Sequence, residues 1–398
     1  MTFLPVIVLS LVMSLAAAPT AAQAPALSDA PAPIVVGAAV SQSGAAAGLA
    51  AGYRNALQLW QQEVNAAGGL LGRPIVLDLR DDGSDAVRAG ALYGALIEGN
   101  ADLLIGPYGS AASLMAAAQA ERAGRVLING AGPAGRVQAG GPGFVFQTTH
   151  PYASYGRGVL ELAQAAGVVR LLILARDDTV SREMALSTHA AALKRGLEAP
   201  PVQFYGAGAG EFAPQLALAR ALRAQAWLLF GGAREAAEAV RAFRKAHYAP
   251  KLFFARDAAD ALFIELVGQD AEHTLAVRRY DPAWPTTGNA RFAAAYAARF
   301  GNLPGASAAE GYAAATVLAE AVRRAGSLEP GALRAALTGL WMNTVLGEFR
   351  AGPDGTQAAA APAVVQISKG RPRVVWPESL RSDGLDPYLP WDERRLLK

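Results

Sequence analysis

EVNAAGGLLGRPIVLDLRDDGSD, residues 63–85, carries the chain from the end of one helix through a strand to the start of another helix. Before it, Leu49, Tyr53, Leu57, Trp60 and Val64 recur at intervals of four, four, three and four, which marks one apolar face of an α-helix. Gly68-Gly69 closes that helix, since glycine takes up the left-handed backbone of a helix end at little cost. IVLDLR (75–80) reads as a strand, and Ser84 as the cap of a helix running to about Gly99. Working outward, IVVGAAV (34–40) and LLIGP (103–107) are continuous apolar strands. A helix from Ser110 to about Gly124, the strand RVLIN (125–129) and the strand FVFQTT (144–149) continue the rhythm.

The same alternation then starts again. A helix is expected from about Ala153 to Ala166, followed by the buried strand VVRLLILA (168–175). Helices near 181–195, 211–224 and 233–247 are separated by the strands VQFY (202–205), AWLLF (226–230) and KLFFA (251–255). Such alternation puts helices on both faces of a parallel sheet, and two series predict an α/β chain of two doubly wound lobes. Beyond Thr287 the pattern is more helical (289–300, 307–325, 330–339), and the chain finishes with the strands GEFR (347–350), APAVVQIS (361–368) and PRVVW (372–376).

Length and composition agree with this. A chain of 398 residues exceeds one ordinary core, and 52% hydrophobic against 17% charged residues favours large buried surfaces. The net charge of +3 is spread without a run of like charges, so nothing marks a nucleic-acid surface. The absence of cysteine removes disulfides, thiol catalysis and cysteine-held metals. His150, His189, His247 and His273 stand far apart, so no metal motif exists and no metal is expected. The uncharged apolar stretch Phe3–Ala18, followed by Ala22-Gln23-Ala24, reads as a cleaved secretory signal peptide covering 1–24. It is short for a membrane span, which takes about 20 residues. The mature protein is expected in the periplasm.

LINGAGPAG (127–135) literally satisfies G-x-G-x-x-G through Gly130, Gly132 and Gly135. A dinucleotide site further requires a helix opened by the third glycine and an acidic residue about 20 positions on. Here Gly140, Gly141, Pro142 and Gly143 stop any helix, and Gly135 to Gly158 contains no acid. Pro133 also withdraws an N–H that a phosphate would use. No cofactor is therefore expected, and the stretch is read as a ligand-side loop at the carboxyl end of a strand. P-loop and nucleophile-elbow patterns are missing as well, so the chain is not read as an enzyme.

Residues 63–85 together with LLIGPYGSAAS (103–113) and FVFQTTHPYASYG (144–156) resemble the branched-chain amino-acid (Leu/Ile/Val) binding protein family, the type I periplasmic solute receptors of ABC importers. The resemblance runs from about 33 to 376. It implies a clamshell of two lobes joined by a three-strand hinge, with lobe one at 33–149 plus 279–345 and lobe two at 150–278 plus 346–398. A small ligand would sit between the lobes, and importer membrane subunits would receive it from a monomer. Tyr108-Gly109-Ser110 then leads into a helix whose start faces the cleft, with Ser110 as its N-cap holding a ligand carboxylate. Ala131 and Gly132 are placed opposite the same group, small enough for backbone to approach a ligand.

Two positions depart from the family pattern. Pro133 stands where amino-acid binders have a hydroxyl residue, and RDDTVSRE (176–183) lacks the aromatic that closes over a ligand. Asp257 matches an acidic residue that meets a ligand ammonium, while Arg256 beside it could turn the preference toward an anion. Tyr152, after the His150-Pro151 turn, and Glu310 near a helix start complete the candidates. The expected ligand is a small polar or amphipathic metabolite: an amino acid, an amide or a small organic acid. An exported sensor on the same clamshell, an exported enzyme and an intracellular regulator are the competing readings.

Overall fold

The computed structural model describes every residue except 3–30, 140, 142, 207–211, 382–383, 391–392 and 394–398. The expected signal peptide thus lies almost wholly outside the described residues. The first sheet contains β1 (Ile34–Ala39), β2 (Ile75–Arg80), β3 (Leu103–Ile105), β4 (Leu127–Asn129) and β5 (Val145–Gln147). Their order is β2-β1-β3-β4-β5, every pair parallel. Helices α1 (Ala47–Ala66), α2 (Ala86–Glu98) and α3 (Ser110–Ala123) make the crossovers. A second winding follows, with α4 (Arg157–Ala165), β6 (Leu171–Arg176), α5 (Thr179–Lys194), β7 (Gln203–Tyr205), α6 (Ala213–Ala221), β8 (Ala226–Phe230), α7 (Ala233–Lys245), β9 (Leu252–Ala255), α8 (Ala261–Val267) and β10 (Leu275–Arg278).

The chain then returns to the first lobe. α9 (Asn289–Phe300), α10 (Ala306–Ala325), α11 (Pro330–Thr338) and the hairpin β11 (Trp341–Thr344)–β12 (Gly347–Arg350) share the core of α1, and Leu346 and Phe349 are buried in it. It re-enters the second sheet at β13 (Ala363–Ser368) and β14 (Arg371–Trp376), giving the order β14-β13-β10-β9-β8-β6-β7 with an antiparallel edge. The fold is two-lobed α/β, and each lobe carries helices on both sheet faces because its central strands are apolar throughout. All five residues of β8 are buried, and each large side chain so placed contributes about 1.5–3 kcal/mol.

Three local expectations require correction. Leu49 is 65% exposed, whereas Tyr53, Leu57, Trp60 and Val64 are buried. Ala50, three residues before Tyr53, holds the inward position of that turn. Ser84 does not cap α2: the Asp85 carboxylate accepts from the Val87 and Arg88 amides at 2.7 and 3.1 Å. The Ser84 hydroxyl instead accepts from the Ala46 amide and donates to the Ser43 carbonyl, tying two loops together. The N-cap of α3 is Gly109, with Ser110 its first helical residue. Gly109 has φ +93° and open space around a would-be Cβ, so backbone conformation is what calls for glycine there.

Candidate ligand-binding site

Parallel α/β sheets present their carboxyl ends to ligands, because the helices that follow start there and the loops are free to vary. Here the carboxyl ends of both sheets contribute to one cleft of about 530 Å³. Tyr108, Pro133 and Ala306 come from the first lobe. Tyr152, Tyr155, Val180, Met184, Arg256, Asp257, Ala259, Asp260 and Val277 come from the second, and Arg278, Arg279 and Tyr280 from the segment leaving it.

Of the residues named from sequence, Tyr108, Tyr152, Arg256 and Asp257 line this cleft together. Gly109, Ser110, Ala131 and Gly132 are not among the residues that line it; they belong to the loops that carry Tyr108 and Pro133. The Ser110 hydroxyl accepts from the Ala134 amide at 3.2 Å and bonds the Tyr152 hydroxyl. The Ala131 carbonyl accepts from the Gly109 amide, making a bridge between the two loops. The Gly132 amide donates to Asn129 Oδ1 at 2.8 Å, and its carbonyl accepts from Asn129 Nδ2 and Gln147 Nε2. A Cβ on Gly132 would run into Ser113, so this glycine serves the close packing of its own loop against α3. Gly135 opens a three-residue 3-10 turn, 135–137, and its amide donates to Glu183 Oε1 of α5 across the lobes at 2.7 Å.

Charge in the cleft is organised as pairs. Arg256 follows β9 and grips its chain neighbour Asp257 with two parallel hydrogen bonds, 2.7 and 2.6 Å. Burial works against the Arg256 charge, but this pairing outweighs it and holds the guanidinium pKa above its usual value. Arg278 meets Asp281 at 3.2 Å. Arg279 donates from Nη1 to Glu310 of α10 at 2.7 Å and also bonds the Tyr108 hydroxyl. Glu310 is 2% exposed and also accepts from Thr149. Burial pushes the Glu310 pKa up while Arg279 pulls it down, and the carboxylate in turn raises that of Arg279. His150, buried where the chain first crosses between lobes, is pushed down to about 4 by burial and by Arg279. Asp260 is shifted upward by burial and by Asp257.

Tyr155, Asp260 and Arg279 escaped the sequence reading. Arg279 and its neighbours sit at the end of β10, a four-residue strand too short to stand out between polar flanks. Val180, within the stretch 176–183 that lacks an aromatic, and Met184 just after it line the cleft. Among the described residues no cluster of His, Cys, Asp and Glu forms a metal site, and no helix is long and apolar enough to cross a membrane.

Residues 33–372 match the family model described as periplasmic binding protein. Among solved structures, an ABC transporter substrate-binding protein from Desulfitobacterium hafniense is 23% identical with a TM-score of 0.73, covering 86% of this chain and 99% of its own. A periplasmic binding protein type 1 from Bordetella pertussis is 22% identical with a TM-score of 0.67 and the same coverage. The branched-chain amino acid transporter substrate binding protein LivJ from Streptococcus pneumoniae, solved with isoleucine, is 19% identical with a TM-score of 0.64, covering 87% of this chain and all of its own. Two doubly wound lobes facing each other across a shared cleft, over the span matched by the family model, make this chain a member of the periplasmic binding protein family with the type I fold.

Proposed function

We propose that this protein is an exported solute receptor. It captures a small polar or amphipathic metabolite between its lobes and delivers it to the membrane subunits of an ABC importer. The observation that carries this reading is the cleft whose walls come from both lobes. A ligand that touches both walls only when they approach shifts the population toward closure, and the closed surface is what a membrane partner reads. The family is one of periplasmic binding proteins, and the signal peptide expected at 1–24 accounts for export. We assign ligand contact to Tyr108, Tyr152, Arg256 and Asp257, with Gly109, Ser110, Ala131 and Gly132 shaping the wall behind them and Glu310 acting through Arg279. Lobe one is taken as 33–149 with 279 to about 350, and lobe two as the remainder; the burial of Phe349 supports the later boundary.

No bond is made or broken in this scheme. The test is a thermal-shift screen of the exported protein against amino acids, amides and small organic acids. A ligand at about 100 times its Kd stabilises the folded form by about 2.7 kcal/mol. Tyr152→Ala is expected to abolish most of that shift. A flat response across the panel, or steady conversion of any member to product, overturns the reading.

A further inference from the structure

Three arginines line the cleft, and they differ in how much of each guanidinium is already committed. Arg256 has Nε and Nη2 locked on Asp257, Nη1 against the Met184 sulfur, and a side chain only 14% exposed. Arg278 has one contact, Nη2 to the partly exposed Asp281 at 3.2 Å, so its guanidinium is open but loosely held. Arg279 differs from Arg256 in keeping donors open and from Arg278 in being held at 2.7 Å by a buried carboxylate. Of its five N–H donors, the protein takes those directed at Glu310 and the Tyr108 hydroxyl. The remainder have no partner among the described residues, and its side chain is 37% exposed in the cleft wall while its partner Glu310 is buried. Its position is fixed from behind, so ordering it for a ligand costs little. The loop opposite gives no competing anchor at Pro133, which has no N–H.

Resting on the receptor reading above, we infer that Arg279 anchors an anionic group of the ligand, so the cleft selects small carboxylates over the corresponding neutral amides. A carboxylate accepts from a guanidinium edge in two parallel bonds, and charge-assisted bonds of this kind are the strong ones. An amide offers one oxygen and opposes its own N–H donors to those of Arg279. Glu310 lowers the net charge of the pair, which lets a neutral or zwitterionic remainder of the ligand enter without a strong excess field.

The experiment titrates matched pairs into the exported protein by calorimetry: leucine and leucinamide, propionate and propionamide, benzoate and benzamide. The expected result is an acid that binds about 10- to 100-fold more tightly than its amide. Arg279→Met alone leaves Glu310 buried without its partner and risks misfolding. The double variant Arg279→Met/Glu310→Gln removes both charges and keeps an acceptor for Thr149. It is expected to fold and to bind the acid no better than the amide. An amide that matches its acid in the wild type, or an acid preference that survives in the folded double variant, overturns the inference alone. A protein that binds neither acids nor amides overturns the receptor reading, and the inference falls with it.

Discussion

Arg256–Asp257 and Arg279–Glu310 stand at the carboxyl ends of the neighbouring strands β9 and β10, and both put an arginine beside a carboxylate in the same cleft. In the first pair the partners are consecutive residues and use both oxygens and two nitrogens on each other. The pair is self-contained, belongs to one lobe and closes off its own guanidinium. In the second, the partners are separated by 31 positions and lie on different elements, one leaving the second lobe and one on α10 of the first. That pair ties the crossing segment to the first lobe and leaves donors facing the cleft. Identical chemistry therefore does different work according to whether the chain or the fold brings it together.

Breaking the long-range pair is the harshest test of that contrast. Arg279→Met leaves a buried carboxylate without its counter-charge and is expected to cost about 3 kcal/mol in urea unfolding, at the low end for a buried pair because the guanidinium is partly exposed. A cost below about 1 kcal/mol would mean that the two pairs are equivalent. Next in size is His150, which faces Arg279 and Arg157 and hydrogen-bonds the Leu346 backbone. Its folded pKa of about 4 lies below the ordinary 6.5, so between those values the unfolded chain binds more protons. Stability is then full above about pH 6.5 and is lost as pH falls toward 4, by about 2 kcal/mol at pH 5. Asp81, held low by Ser43 and by backbone amides, loses its share only below the ordinary carboxylate range, and Glu310 and Asp260, shifted upward, act in the opposite sense, so the histidine's share is read from the difference between wild type and variant. In His150→Gln the change between pH 7 and pH 5 should largely vanish; an unchanged slope would show that the crossing region does not feel this charge. The smallest effect belongs to the local pair. Asp257→Asn keeps one acceptor for Arg256 at a partly exposed site and is expected to cost about 1 kcal/mol or less. A larger loss than that of Arg279→Met would invert the comparison.

Much of the fold was legible. The helix from 289 to 300 and the strand AWLLF are found where periodicity puts them, because long amphipathic helices and fully apolar strands carry strong signals. Caps were less legible. Ser84 and Asp85 are both good N-cap residues, and only the left-handed backbone at Ser84, φ +65°, decides that Asp85 takes the role. The cleft was half legible. Tyr108, Tyr152, Arg256 and Asp257 follow recognisable strand ends or turns. Arg279 follows a strand of four residues, and its partner Glu310 lies on α10, beyond α9, so no spacing connects them. Gly132 was expected at the ligand surface; its commitment to Asn129 and Ser113 depends on contacts between loops that no local pattern encodes.

The sequence by itself determined the two windings, the lack of thiol chemistry, and the resemblance that points to a clamshell. These depend on hydrophobic periodicity and on residue types that are either present or not, and both are properties of short stretches. Tertiary structure alone decided which charges meet and which donors remain open. Pairing energies depend on distances of a few ångströms and on burial, and those are set only when segments remote in the chain pack against each other.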